Sequence, residues 1–287
     1  MLVNLNGVLP QAREGQYSVG LFNTVNFEMA RGVLKAAEET KSPVIIGTAE
    51  ILLSYGPLEE LAYFLIPMAK KASVPVVVHY DHGLTFEKCM EALKCGFTSI
   101  MYDCSTDTYE ENVRKVKELT QIAHAFGATV EGELGHVANN EGAGSDEVTK
   151  VEDMSAYYTD PLQAKDFVQK TNVDALAIAV GTAHGAYKFK PQLDFERIHT
   201  IRNLIETPLV LHGGSGLSNE DFKKAIVCGI SKVNIFTDIN VAASEAIKKG
   251  YADGKGCMTD LIPYQVDEIA AATEKKMNLF GCVGRYK

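Results

Sequence analysis

Residues 76–83, VVVHYDHG, run three valines straight into two histidines and an aspartate. Val76, Val77 and Val78 suit a strand buried on both faces. His79, Asp81 and His82 carry protons and bind metals, and they do not suit an apolar core. An apolar strand that turns polar at its C-terminal end fits a parallel α/β sheet, where ligand-binding residues gather at that edge.

The same unit recurs along the 287 residues. Apolar, β-rich runs lie at 17–23 (YSVGLFN), 43–48 (PVIIGT), 75–80 (PVVVHY), 97–103 (FTSIMYD), 128–134 (ATVEGEL), 174–180 (DALAIAV), 208–212 (PLVLH) and 232–236 (KVNIF). Amphipathic stretches with helical spacing separate them, among them NFEMARGVLKAAEET, EELAYFLIPMAKKA and TYEENVRKVKELTQIAHAFG. Gly96, Gly127 and Gly229 fall where helices should stop, and Pro43, Pro75 and Pro208 open strands, where a missing N–H does least harm. Eight β/α units in this length predict one domain over residues 1–287, an α/β fold of the (β/α)8 TIM-barrel type with an additional C-terminal helix in 256–287. A doubly wound open sheet is the alternative, but no GxGxxG follows the first strand. Residues 135–159 are polar, contain glycine and are long for a βα connection, as binding loops often are.

Composition narrows the function. A formal charge of −9 with no basic stripe argues against nucleic acid and anionic membranes. No apolar run reaches the roughly 18 residues of a membrane span. The N-terminus has no basic start followed by an apolar segment, so no secretory signal is expected. The six cysteines are scattered without a CxxC, which reads as reduced thiols in a cytoplasmic protein.

Several strand ends carry chemistry. His79, Asp81 and His82 follow the third run, Asp103 the fourth, Glu133 ends the fifth, and His184 follows the sixth in GTAHGAY. The seventh ends in LVLHGGSG with His212, and the eighth runs into NIFTD with Asn234, Thr237 and Asp238. His82, His184 and His212 on three strands can converge, and three imidazoles with one open position describe a catalytic Zn2+ site. Asp103 and Glu133 are placed to orient an imidazole or to serve as an alternative metal ligand. The glycine turns 184–185 and 212–216 let backbone N–H groups approach an anion, and the last two strands of a barrel commonly hold phosphate. His124 and His199 lie on amphipathic helices and read as surface groups, His136 reads as a solvated loop residue, and His79 as a packed histidine near the site.

YDHG, EGELGHV, GTAHGAY, LVLHGGSG and NIFTD, in this order and spacing, resemble the class II, metal-dependent ketose-bisphosphate aldolases, including their fructose- and tagatose-bisphosphate members. The resemblance runs from about Tyr17 to Val241. It implies that His82, His184 and His212 hold Zn2+ and that Asp81 acts on the hydroxyl at the carbon–carbon bond. It implies that Gly185, Gly213, Gly214, Ser215, Asn234 and Thr237 hold the phosphate of dihydroxyacetone phosphate, and that Asn23 contacts the far part of the substrate. A glutamate on the loop after the fifth strand, which falls on Glu141, would move the proton at carbon. The carbonyls around His184 and His212 would take a monovalent cation, Na+ or K+. The partner is a small-molecule sugar phosphate, and a homodimer or homotetramer is expected.

The chain departs from the family pattern in places. The loop reads ANNEGAG rather than GGxED, Phe236 stands where a small or acidic residue is expected, and Tyr80 precedes the aspartate in place of an aliphatic residue. Phe236 and Tyr80 therefore bear on the aldehyde pocket, and Arg285 in the tail is a candidate for a second phosphate, in its own or in a neighbouring subunit. A Schiff-base aldolase needs a lysine at a strand end, and Lys232 precedes the apolar run of its strand, which places it at the wrong end. A zinc hydrolase on a barrel and a non-enzymatic sugar-phosphate binder are the competing functions.

Overall fold

The computed structural model describes residues 1–135, 138–139, 157–184, 191–214 and 216–286, and the side chains at 138–139 and 183–184 lie outside it. In chain order the elements are β1 (Leu2–Val3), α1 (Leu9–Glu14), β2 (Val19–Asn23), α2 (Phe27–Glu39), β3 (Val44–Ala49), α3 (Leu58–Lys71), β4 (Val76–Gly83), α4 (Phe86–Cys95), β5 (Ser99–Tyr102) and α5 (Tyr109–Ala125). They continue with β6 (Thr129–Leu134), β7 (Ala138–Asn139), α6 (Pro161–Thr171), β8 (Ala175–Ile178), β9 (Ala183–His184), α7 (Phe195–Leu204), β10 (Leu209–Leu211), α8 (Asn219–Cys228), β11 (Ile230–Ile235), α9 (Thr237–Ala252) and α10 (Met258–Phe280).

Strands β4-β3-β2-β11-β10-β8-β6-β5 pair in that order, all parallel, and β5 returns to β4, so the sheet closes into an eight-stranded barrel. The eight runs read from the sequence are these eight strands. The additional C-terminal helix is α10, which packs along α2 and α9. Gly32 of α2 makes that contact possible, because a Cβ there would stand 2.6 Å from Ile269. The sequence reading missed the N-terminal piece. β1 adds to the lower end of β4, pairing Leu2 with Val76, and α1 buries Leu9 and Ala12 under the barrel.

Local chemistry explains the alternation. Asn26, Thr85, Thr108, Asp160, Asp194 and Ser218 each accept a backbone N–H of the first turn of the helix they open. At the other end, Gly96 closes α4 at φ 91°. Between strands and helices the core is apolar. The inside of the barrel is not: His79, Glu131, Ser99, Lys232 and Asn234 are all buried there, on strands that face one another across it. Branched aliphatic residues are the usual filling of a barrel, so buried charge here must be matched pair by pair.

Candidate active site

Asp81 and His82 are sequence neighbours, and on a regular strand they would face opposite sides. The structure avoids this with an irregularity in β4. Between Tyr80 and Gly83 its register against β5 shifts by one residue, and His82 takes a left-handed φ of 42°. Such a bulge re-aims a side chain at a modest cost in backbone strain. His82 thereby turns to the same space as Asp81 and meets His212, with ring centroids 4.5 Å apart.

Each imidazole is oriented by carboxylates. His82 Nδ1 lies 2.8 Å from Asp103 Oδ2, and Asp103 is fixed in turn by the Ser105 N–H and hydroxyl. With the proton on Nδ1 facing Asp103, the lone pair of a neutral His82 sits on Nε2. His212 lies between Glu131, 2.8 Å from Nε2, and Glu133, 3.1 Å from Nδ1. Burial alone would lower the His212 pKa, yet its hydrogen bonds to Glu131 and Glu133 push it up to about 10. Those carboxylates favour any cation at this point, a proton or a metal. Oxygen and nitrogen donors of Asp81, His82 and His212 lie within 4.8 Å of one another, as do those of His82, Asp103 and Glu133. Imidazoles held from behind by carboxylates fit a divalent metal of the zinc type.

Asp81 is the second centre. It is buried, and it accepts from Asn23 Nδ2 at 2.8 Å and from Asn234 Nδ2 at 3.0 Å. Burial would raise its pKa, but the charge on His82, the nearby His79 N–H, and the charges on Lys232 and His212 outweigh it. Asp81 is held well below the usual carboxylate range. His79 Nε2 lies 3.7 Å from Asp81 and 3.9 Å from Glu131, and Nδ1 lies 2.7 Å from Ser99 Oγ. A lone pair facing two carboxylates would be repelled, so Nε2 carries the proton and Ser99 donates to Nδ1. Burial keeps His79 neutral by lowering its pKa. His79 is the packed histidine beside the site that its position suggested.

The profile of the family described as fructose-bisphosphate aldolase class-II matches residues 3–285, a wider span than 17–241. The chain belongs to this family. The aldolase is 42% identical over 250 residues to the protein YdjI of Escherichia coli K12, covering 87% of each chain. It is 38% identical to the fructose-bisphosphate aldolase of Thermus caldophilus, covering 99% of this chain and 100% of that one. Its fold matches the crystal structure of the Escherichia coli K12 YdjI aldolase over the whole of both chains, with a TM-score of 0.89 and 36% identity. The aldolase is thus a class II aldehyde-lyase, an enzyme of a family that binds sugar phosphates.

Other expected residues fall as follows. Gly213, at φ 65°, and Gly214 follow β10, and a Cβ on Gly214 would press on Phe222 and Val233 at 3.1–3.2 Å. Thr237 opens α9, exposed, and Asp238 beside it pairs with Lys276 at 2.8 Å. The His184 backbone pairs with Asn139, while its side chain lies outside the described residues, as do His136, Glu141, Gly185 and Ser215. His124 is partly exposed and bonds Asp174 at 2.8 Å, and His199 bonds Asn203 at 3.0 Å, as surface groups should.

Two expectations need correcting, those for Lys232 and Tyr80, and several other expected residues take contacts of their own. Lys232 does not lie at the wrong end. Its stem runs inside the barrel, and Nζ sits 2.8 Å from Glu131 Oε2 and 2.7 Å from Asn234 Oδ1, whose amide in turn donates to Asp81. It is tied up as an ammonium, so it is still no Schiff-base amine. Asn23 and Asn234, the residues expected on substrate, have their amides on Asp81. Tyr80 faces away from the barrel interior. Its ring packs edge-on against Phe97, and its hydroxyl donates to Glu50, which also accepts from the N–H groups of Leu84 and Thr85. Tyr80 therefore staples the loop after β3 to the loop after β4, and Phe236 packs against the hydrophobic core. Arg285 stacks on Tyr17, just ahead of the N-terminal end of β2 and opposite the mouth of its own barrel.

Sequence reasoning missed Glu131. EGE at 131–133, HYD at 79–81 and KVN at 232–234 each place two polar groups two residues apart, the period of one strand face. That spacing was a usable signal for a polar barrel interior.

Proposed function

We propose that this aldolase is zinc-dependent and reversibly cleaves a ketose bisphosphate, fructose- or tagatose-1,6-bisphosphate, into dihydroxyacetone phosphate and glyceraldehyde 3-phosphate. The observation that carries the reading is an ionised, buried Asp81 held by two amides directly beside the facing imidazoles of His82 and His212. His82, His184 and His212 would hold the zinc, with Asp103, Glu131 and Glu133 orienting or supplementing them. Bound there, Zn2+ supplies Lewis-acid polarisation of the ketose oxygens, which removes the need for a lysine Schiff base.

The chain's own groups do the rest. Asp81 meets the substrate as a base and takes the proton of the C4 hydroxyl as the carbon–carbon bond breaks. Asn23 and Asn234 fix its two oxygens, so the proton is received at a defined point. Glu141 returns a proton to the carbon of the dihydroxyacetone phosphate half, and both roles reverse in synthesis. Gly185, Gly213, Gly214, Ser215 and Thr237 hold the phosphate with backbone and hydroxyl donors at the ends of β9, β10 and β11, joined by Asn234 once substrate is bound. Carbonyls around His184 and His212 accept a monovalent cation, Na+ or K+, beside that phosphate. We place the enzyme in the cytoplasm as a homodimer or homotetramer. The free cysteines suit that compartment, and among the described residues no helix is long and apolar enough to cross a membrane.

The position of Arg285 favours a second reading, the same chemistry on a ketose 1-phosphate with an unphosphorylated aldehyde, since that cation is not at its own barrel mouth. One experiment addresses both. The zinc-loaded enzyme is incubated with dihydroxyacetone phosphate and a panel of phosphorylated and plain aldehydes, and the products are identified. The aldol products should vanish with EDTA and return with Zn2+. Undiminished turnover after complete zinc removal would refute the proposal.

A further inference from the structure

We propose that the N-terminal end of the barrel, opposite the catalytic mouth, carries a second anion site that binds a phosphate group. A cavity of about 140 Å3 opens there between α1, α7 and the turn from α8 into β11. At about 30 Å3 per water that is room for four or five water-sized groups, the bulk of a phosphate. Its charged walls are Arg13 and Arg202. His199, Gln16, Asn203 and Ser231 add polar lining, and among the described residues no aspartate or glutamate lines it. In a chain of net charge −9, a pocket whose fixed charges are both positive is a local exception.

The two arginines are built into place. Arg13 is more than nine-tenths buried. Its Nη2 donates to Arg202 O at 3.1 Å, Ile205 O at 2.8 Å and Glu206 Oε2 at 3.2 Å. Its Nη1 is fully enclosed, with no hydrogen-bond partner among the described residues. Arg202 lays its stem against Gly229, where a Cβ would come within 2.6 Å of the Arg202 Cγ, and its Nη2 reaches back to Arg13 O at 3.4 Å. Closing the end of α7 accounts for Arg13 Nη2. It does not account for a second guanidinium folded back onto the Arg13 backbone in the same cavity wall, close enough to disfavour the charge on the first. Glu206, which offsets them, has a fully exposed side chain. An oxyanion in the cavity offsets both charges through charge-assisted hydrogen bonds.

The test uses full-length, zinc-loaded enzyme. Inorganic phosphate is titrated into the parent and into Arg202→Met by calorimetry, and crystals of both are soaked in tungstate, a heavy phosphate mimic. The parent should show tungstate density between Arg13 and Arg202. In Arg202→Met that density should disappear and phosphate affinity at this site should fall roughly tenfold or more, while aldol turnover and KM stay at the parent values. Binding at the catalytic mouth is common to both proteins and cancels in the comparison. Identical isotherms in the two proteins, or a parent cavity without density when the mouth is filled, overturn the proposal. Glycerol phosphate titrated alongside separates the sources. Tighter binding of the ester names a phosphorylated metabolite, and tighter binding of the free ion names inorganic phosphate; either upholds the site.

Discussion

Replacing Lys232 by methionine removes an ammonium 2.8 Å from Glu131 Oε2 and 2.7 Å from Asn234 Oδ1, deep inside the barrel. Lys232 and Glu131 are both fully buried. Breaking a buried pair by removing one partner typically costs about 3–5 kcal/mol, because the other charge stays behind without water. Glu131 keeps its 2.8 Å bond to His212, so the expected loss is at the lower end, about 3 kcal/mol. Proton uptake by Glu131 sets a ceiling: protonating an ordinary glutamate at pH 7 costs about 3.7 kcal/mol. In the parent, burial works against ionisation of Glu131, but Lys232 and His212 hold its pKa down to about 2. In Lys232→Met the folded pKa rises above the unfolded one, so the folded state binds the extra proton. The deficit must then shrink as pH falls from 7 toward 5, by up to about 1.4 kcal/mol per pH unit. Equilibrium urea unfolding at pH 7 and pH 5, at fixed zinc, reads both effects. Adding Glu131→Gln should recover a substantial part of the loss, since no unpaired charge remains. A loss under about 1 kcal/mol that is equal at both pH values would refute this account of the barrel interior.

Asp103→Asn should weaken zinc binding by about 10- to 100-fold with little change in fold, because the amide orients His82 less firmly; chelator competition measures it. Asp81→Asn should lower kcat by about 10²- to 10⁴-fold while zinc content stays at the parent level, read by steady-state cleavage and metal analysis. The Cys282 thiol, buried against the last turn of α10, is pushed by burial from the usual 9.0 up to about 12. The unfolded chain therefore releases this proton first, and stability should fall between pH 9 and pH 12; Cys282→Ala should flatten that alkaline limb by up to about 1.4 kcal/mol per pH unit.

Much of the barrel was legible residue by residue. Strand-opening prolines, helix-closing glycines and side-chain caps act locally, within one turn of chain, so Pro75 or Gly96 announces its role in its own neighbourhood. Asp103 and Glu133 were legible as carboxylates beside imidazoles, since their strand ends had to share one rim. Tyr80 could have been placed by the period of two, which puts it on the face opposite Asp81. His82 could not. Alternation turns it away from Asp81, and the bulge with φ 42° that brings it back depends on pairing with β5.

The sequence alone determined the eight barrel strands, the parallel order of β/α units and the chemistry gathered at the C-terminal rim, because these follow from hydrophobic period and chain connectivity. Barrel closure decided what the buried charges do. Glu131, Lys232 and His79 stand far apart in the chain, and their meaning is set by which charge each faces across the interior. Closure made Lys232 a counter-ion instead of a stray cation, and turned Asn23 and Asn234 toward Asp81. Coulomb energy in a dry interior falls off over a few ångströms, so three-dimensional neighbours govern it rather than spacing along the chain.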